Sequence, residues 1–214
     1  MFSHLIFDID GTLMDSLPFV TKAYLEACSA MGLEPNREAF LVHAGIRTAL
    51  VFREYYRLNE EEFQKASAIY GAAFHRDSHT ARPFPGIPEL LSRLKEAGVQ
   101  MCVATARTQD ALDALFGSRG IWDYFSYFGC STSRQERPNK ADSIRRCAQH
   151  MGVPPEQCLM IGDRYVDIRG AREAGAMACG ITYGFGSRAE LEAEAPQYLV
   201  DSVEELSGLL LGGK

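Results

Sequence analysis

No two of the six cysteines form a CxxC pair, and no apolar run approaches the ~20 residues that span a bilayer. The first absence argues against a zinc site or a disulfide framework and leaves six reduced thiols, several inside apolar stretches. The second argues against a transmembrane segment. The opening MFSHLIFDID also lacks the basic start and long apolar core of a secretory leader, because Asp8 and Asp10 interrupt it. A soluble, cytoplasmic protein is expected. Cations are in the minority, with 22 Lys and Arg against 28 Asp and Glu, a net charge of −6. Phosphate backbones are held mainly by those cations, so neither a nucleic-acid polymer nor an anionic membrane is the expected partner. A small anionic substrate is compatible, since one site can be positive on an acidic chain. Internal repeats and low-complexity tracts are missing as well.

What remains is an ordinary globular composition, 46% hydrophobic and 23% charged, in 214 residues. At ~150 residues per domain that length suggests a core plus an insertion. The runs HLIFDI (4–9), VQMCVA (99–104), YFSYFG (124–129), QCLMIG (157–162) and MACGIT (177–182) read as strands, with a weaker one at YLV (198–200). From residue 99 onward these runs alternate with DALDALFGS, NKADSIRRCAQHMG, VDIRGAREAG and SRAELEAEA, whose apolar residues recur at helical spacing. Such alternation predicts an α/β fold, a Rossmann-like core with a mostly parallel sheet covered on both faces. After the first strand the rhythm stops. Helical segments follow at 18–32, 47–58 and 60–74, and the Pro- and Gly-rich RPFPG (82–86) looks like a return hinge. The expected organisation is a core of residues 1–15 and 82–214, with 16–81 inserted as an all-helical cap.

Ligands in open α/β sheets bind beyond the carboxyl ends of the strands. The first strand ends in Asp8-Ile9-Asp10-Gly11-Thr12, the next in Thr105, and a later one in Gly162-Asp163 with Asp167 four residues on. Asp8 and Asp10, two apart, can address one small volume as the strand ends. Gly11 allows a sharp turn and exposes N–H groups to an anion. A calcium loop is disfavoured, because TLMDSLPF after Gly11 supplies none of the further acidic ligands it needs. Asp163 and Asp167 also fit plain helix-cap chemistry, and Lys140 also fits an exposed helix residue. If all four carboxylates share one pocket, like charges ~4 Å apart repel by about 4 kcal/mol at an effective dielectric near 20. A hard cation, a protonated member or both must then be present, and Mg²⁺ is the ordinary choice beside phosphate. With a divalent cation and Lys140 the set is still net negative, so a phosphate dianion would be repelled unless one carboxyl holds a proton. Asp10 suits that role as general acid, and Asp8 suits the nucleophile that forms an aspartyl-phosphate. Lys140 and Thr105 would neutralise and position the phosphoryl oxygens.

These residues, in this order, resemble the haloacid dehalogenase superfamily. The resemblance runs through FDIDGTLMDS, a helical block, PGIPELLSRLKEAG, VATART, Lys140 within RPNKADSI, and IGDRYVDIRGAREAG, nearly the whole chain. It implies a Rossmann-like core and a helical cap of the phosphoglycolate phosphatase type. The implied activity is Mg²⁺-dependent phosphomonoester hydrolysis. It assigns the nucleophile to Asp8, acid–base work to Asp10, and phosphate contacts to Thr105 and Lys140. Metal binding falls to Asp8, Asp10 and Asp163, with Asp167 a ligand directly or through water. Gly11 and Ala106 complete the phosphate-binding set, although many relatives carry a polar side chain where this sequence has Ala106. The tail GITYGFGSRAELEAEAPQYLVDSVEEL resembles members named phosphoglycolate phosphatase or 5′-nucleotidase, and NKADSIRRC leans toward the second.

The expected substrate is therefore a small phosphorylated metabolite, either 2-phosphoglycolate-like or a nucleoside 5′-monophosphate. A sugar-phosphate mutase shares the whole motif set. A haloacid dehalogenase would share Asp8 but has no alkoxide for Asp10 to protonate. In the insertion, His43, Arg47, Arg53 and Arg57 read as solvated helix residues, and Phe52, Tyr55 and Tyr56 as core.

Overall fold

The computed structural model describes residues 2–116, 120–131 and 139–212. Strand β1 (His4–Phe7) comes first, then a two-residue β2 (Met14–Asp15). Helices α1 (Leu17–Met31), α2 (Arg37–His43), α3 (Leu50–Glu54) and α4 (Glu60–Asp77) follow, and β3 (Arg82–Pro83) closes the insertion. Next come α5 (Ile87–Glu96), β4 (Gln100–Ala104), α6 (Gln109–Phe116), β5 (Tyr127–Gly129) and α7 (Lys140–Met151). The chain continues through β6 (Leu159–Gly162), α8 (Tyr165–Ala174), β7 (Met177–Ile181), α9 (Arg188–Ala193), β8 (Tyr198–Val200) and α10 (Val203–Leu211).

Six strands form one sheet in the order β5-β4-β1-β6-β7-β8, with every neighbouring pair parallel. This is the expected α/β architecture. The apolar run of β1 has the burial such a sheet demands. Leu5 and Phe7 point into the larger core, which continues through α5 and α10 into the insertion. Ile6 points the other way, toward Ile144 and Ala148 of α7 and Ile168 and Ala171 of α8. The strand at 124–129 begins later than expected, since residues 122–124 form a 3₁₀ turn and β5 starts at Tyr127. The end of DALDALFGS (117–118) and the first two residues of RPNKADSI (137–138) lie outside the described residues.

The insertion leaves and returns through one small ladder. β2 and β3 pair antiparallel, Met14 with Pro83 and Asp15 with Arg82, so RPFPG meets the outgoing strand as it re-enters the core. Within the insertion, α1 packs along α4 with the Phe19 and Phe74 rings 5.2 Å apart. Helix α4 is started by a capping box between Asn59 and Glu62 and extends three residues past the expected 60–74. The expected helix over 47–58 shortens to α3. Helices α2 and α10 were not anticipated. All six cysteines are free, buried thiols. No helix among the described residues is long and apolar enough to cross a membrane.

Candidate active site

The strand order makes β4, β1 and β6 neighbours, so Thr105, Asp8 and Asp163, which directly follow them, meet at one edge of the sheet. The Asp8 N–H donates to the Ile161 carbonyl at 2.9 Å, tying the first loop to β6. Carboxylate oxygens of Asp8, Asp163 and Asp167 lie within 4.8 Å of one another, and all three residues are buried. Lys140, the first residue of α7, enters the same space and is itself buried. Its ammonium donates to Asp8 Oδ1 at 2.7 Å and to the Ala104 carbonyl at 3.0 Å, and pairs with Asp167 Oδ1 at 2.7 Å. The reading of Lys140 as an exposed helix residue is thereby excluded.

Burial works against the charge on Lys140, but the carboxylates of Asp167 and Asp8 outweigh it and raise its pKa, holding the ammonium protonated. Burial pushes the Asp8 carboxyl well above its ordinary value against the pull of Lys140, and the charges of Asp167 and Asp163 push the same way. Its ionised form therefore depends on positive charge nearby. Three buried carboxylates against one ammonium leave a formal excess of two negative charges, and every donor is a hard oxygen. That set fits a divalent cation of the Mg²⁺ type, held by Asp8, Asp163 and Asp167.

Asp163 accepts from the Thr12 hydroxyl at 3.1 Å and from the Phe185 N–H at 2.7 Å. Asp167 accepts from the Arg164 N–H at 3.0 Å through its other oxygen, so it caps α8 as well as pairing with Lys140. Burial, helped by Asp167, raises the pKa of Asp163 from an ordinary 3.8 to about 7. A carboxyl that binds its proton more tightly when folded contributes stability that is complete below the unfolded pKa and is lost as pH rises through 7. With metal removed by a chelator, the wild type is expected to lose more stability between pH 5 and pH 8 than Asp163→Asn does. Denaturant melts at the two pH values measure this, and equal losses would contradict it. The amide can keep both contacts, because the Thr12 hydroxyl can turn to accept from it.

The carboxylate of Asp10 does not join this group. The Arg107 guanidinium grips it twice, Nε to Oδ2 at 2.7 Å and Nη2 to Oδ1 at 2.6 Å, and the Ser16 hydroxyl donates to it too. Burial favours the neutral acid, but the charge and hydrogen bonds of Arg107, with the Ser16 bond, carry Asp10 below its ordinary pKa. The proton expected on Asp10 is thus replaced in this structure by the charge of Arg107. Arg107 is the last residue but one of VATART. It is buried, with its guanidinium 4.5 Å from the Phe74 ring centre. The Arg107 N–H donates to Thr105 Oγ1 at 3.1 Å, which leaves the Thr105 hydroxyl proton free to be aimed at an anion. Ala106 lies half-buried between the two.

Gly11 is corrected in its role. Its N–H donates to the Met14 carbonyl at 3.0 Å and so is not presented to a phosphate. What the position requires is the absence of a side chain. Its φ is +82°, and a Cβ there would lie 2.2 Å from Asp163 Oδ2. Gly184 crowds the same contact, where a Cβ would lie 2.3 Å from the Gly11 carbonyl and 2.6 Å from Asp163 Oδ2. Only the pairing of GFG with DxDG in three dimensions reveals this.

Above Lys140 opens a cavity of about 440 Å³, lined by Val42, His43, Ile46 and Arg47 of the insertion and by Tyr165 of α8. His43 and Arg47 are half-buried in that wall rather than solvated, whereas Arg53 and Arg57 are exposed as expected. Arg53 is paired with Glu60 at 2.6 Å. Phe52 is core, but Tyr55 is 49% exposed, contrary to expectation, and its hydroxyl accepts from the Asn36 side chain.

Residues 5–181 match the family model of the haloacid dehalogenase-like hydrolases. The chain belongs to this family. A 5′-nucleotidase of Pseudomonas aeruginosa is 30% identical, with 98% of this chain and 96% of that protein covered. A phosphoglycolate phosphatase of Nitrosococcus oceani is 29% identical over 96% of this chain and 95% of that one. Among solved structures, a predicted phosphatase from Clostridium acetobutylicum superposes with a TM-score of 0.88 at 29% identity, covering 99% of each chain. Family and relatives together make the chain a hydrolase of the phosphatase group.

Proposed function

We propose that the protein hydrolyses a small phosphomonoester through an aspartyl-phosphate on Asp8, with the helical insertion serving as the cap over the site. The observation that carries this reading is the Asp8 carboxylate at the end of a central strand, paired at 2.7 Å with a buried ammonium and crowded by two further acids. An Asp8 oxygen attacks phosphorus, the bond from phosphorus to the leaving oxygen breaks, and Asp10 protonates the departing alkoxide. Water then attacks phosphorus, the bond to Asp8 breaks, and Asp10 takes the proton released. Because Arg107 holds Asp10 below its ordinary pKa, Asp10 takes up its proton as substrate binds, from the phosphomonoester monoanion or from solvent. Lys140 and the Thr105 hydroxyl hold the phosphoryl oxygens, and Ala106 borders them. Magnesium, when bound by Asp8, Asp163 and Asp167, with Asp10 contributing its carbonyl, supplies charge neutralisation for the phosphoryl group.

The similarity to proteins named phosphoglycolate phosphatase and 5′-nucleotidase supports two substrate classes, 2-phosphoglycolate-like esters and nucleoside 5′-monophosphates. A panel of phosphorylated metabolites containing both, assayed with Mg²⁺ and with a chelator, tests the reading. Release of phosphate that requires the metal is expected. Turnover of 2-chloropropionate with no phosphate released from any ester would overturn it in favour of a dehalogenase.

A further inference from the structure

We propose that Arg164, the residue after Asp163, is a positioning residue that seats the cap over the acid cluster. The inference rests on the phosphatase reading for its kinetic test but not for its structural one. Arg164 is 2% exposed, although it lies in the loop between β6 and α8. Its side chain leaves the core and crosses to the insertion. Nη2 donates to the Val42 carbonyl at 2.9 Å, and Nη1 donates to the Leu41 carbonyl at 3.3 Å and to the Ala44 carbonyl. Only Nε stays within the core, donating to Glu190 of α9 at 2.9 Å.

The three carbonyls belong to the last turn of α2 and the residue after it. A helix end leaves such carbonyls without intrahelical partners and carries partial negative charge, so an arginine fork is a matched ligand. The contacts are to main chain, and the side chains of Leu41, Val42 and Ala44 take no part in the grip. Beyond Ala44 the same segment runs over the first catalytic loop. A Cβ at Gly45 would lie 3.7 Å from the Asp10 carbonyl and 3.2 Å from the Phe185 ring. It then supplies Ile46, Arg47 and Leu50 to the cavity above Lys140. One guanidinium therefore fixes where the insertion's wall of that cavity stands relative to Asp163.

A simple salt bridge inside the core would need only Nε and Glu190. Instead most of the hydrogen bonds reach the cap. When the cap moves off they are lost together, and a guanidinium built into a dry site keeps a single partner. Substrate that needs the closed wall meets a protein already biased toward it.

Arg164→Lys keeps the charge but puts its donors on one nitrogen, which cannot span the three carbonyls. Two readouts test the proposal, with Arg164→Gln as the second variant. Hydrogen exchange across residues 41–50 is expected to quicken by roughly tenfold or more while β1 and β6 stay protected. For whichever phosphomonoester the wild type turns over, KM is expected to rise by about tenfold, with kcat within about threefold, because the binding-competent fraction falls. Unchanged exchange across 41–50, or parallel falls in kcat and melting temperature with KM constant, would overturn the proposal. So would failure of both variants to fold, which would make Arg164 part of the core alone. Exchange needs no turnover, so an inactive wild type would count against the phosphatase reading and leave this one standing.

Discussion

Asp8→Asn is expected to fold like the wild type and to lose phosphate release by roughly 10⁴-fold or more, the scale on which a covalent nucleophile acts. The amide oxygen can still accept from Lys140, which now sits 2.7 Å from Asp8 Oδ1, so the local geometry survives. What disappears is the anionic oxygen that the proposed mechanism aims at phosphorus. The substitution also removes one of three crowded carboxylates, so thermal melting without metal should show equal or greater stability. Steady-state assays against the best ester from the panel measure the loss. Wild-type turnover by the variant would end the assignment of Asp8.

Lys140→Ala is expected to act on activity and stability together. Its ammonium meets Asp8 and Asp167 at 2.7 Å each, and it is buried. Removing one partner of a buried ion pair typically costs about 3–5 kcal/mol, because the other charge is left uncompensated. The carboxyls can escape that cost by protonating, and a protonated Asp8 is no nucleophile. Loss of phosphate stabilisation compounds the effect, for a fall in kcat of roughly 10²–10³. Lys140→Arg should not restore activity. The Lys140 ammonium is enclosed by Asp8 and Asp167 at 2.7 Å each and by the Ala104 carbonyl at 3.0 Å, a buried seat fitted to a point charge and not to a longer planar fork. Denaturant titration and steady-state kinetics measure the two losses. A fall in kcat of less than about tenfold would contradict the role given to Lys140.

The sheet was legible because β1, β4, β6 and β7 are short apolar runs buried on both faces, a pattern few other arrangements produce. The meeting of Asp8, Thr105 and Asp163 followed, since parallel strands place their carboxyl ends on one edge. Helix α2 was not legible, because Phe40 is its one fully buried residue and its apolar stripe is therefore weak. Its Asn36 cap, which accepts from Ala39, was the available signal. Tyr55 was misread because an aromatic residue beside Phe52 and Tyr56 looks like core when the turn of the helix is unknown.

The contacts that hold the site were harder to read. Thr12 reaches Asp163 across 151 residues, Arg107 reaches Asp10 across 97, and Arg164 reaches Val42 across 122. Each is a polar side chain whose partner depends on how two loops sit in space. A linear pattern gives residue types at strand ends but not which cation neutralises which acid. For that reason Asp10 was assigned a proton where the fold supplies Arg107.

The most direct test of the account is to quench the enzyme in acid during turnover of a good ester and map the phosphoryl group by mass spectrometry. A phosphorylated peptide containing Asp8, absent from Asp8→Asn, is expected. Rapid phosphate release with no adduct at residue 8, or with an adduct on another side chain, would contradict it.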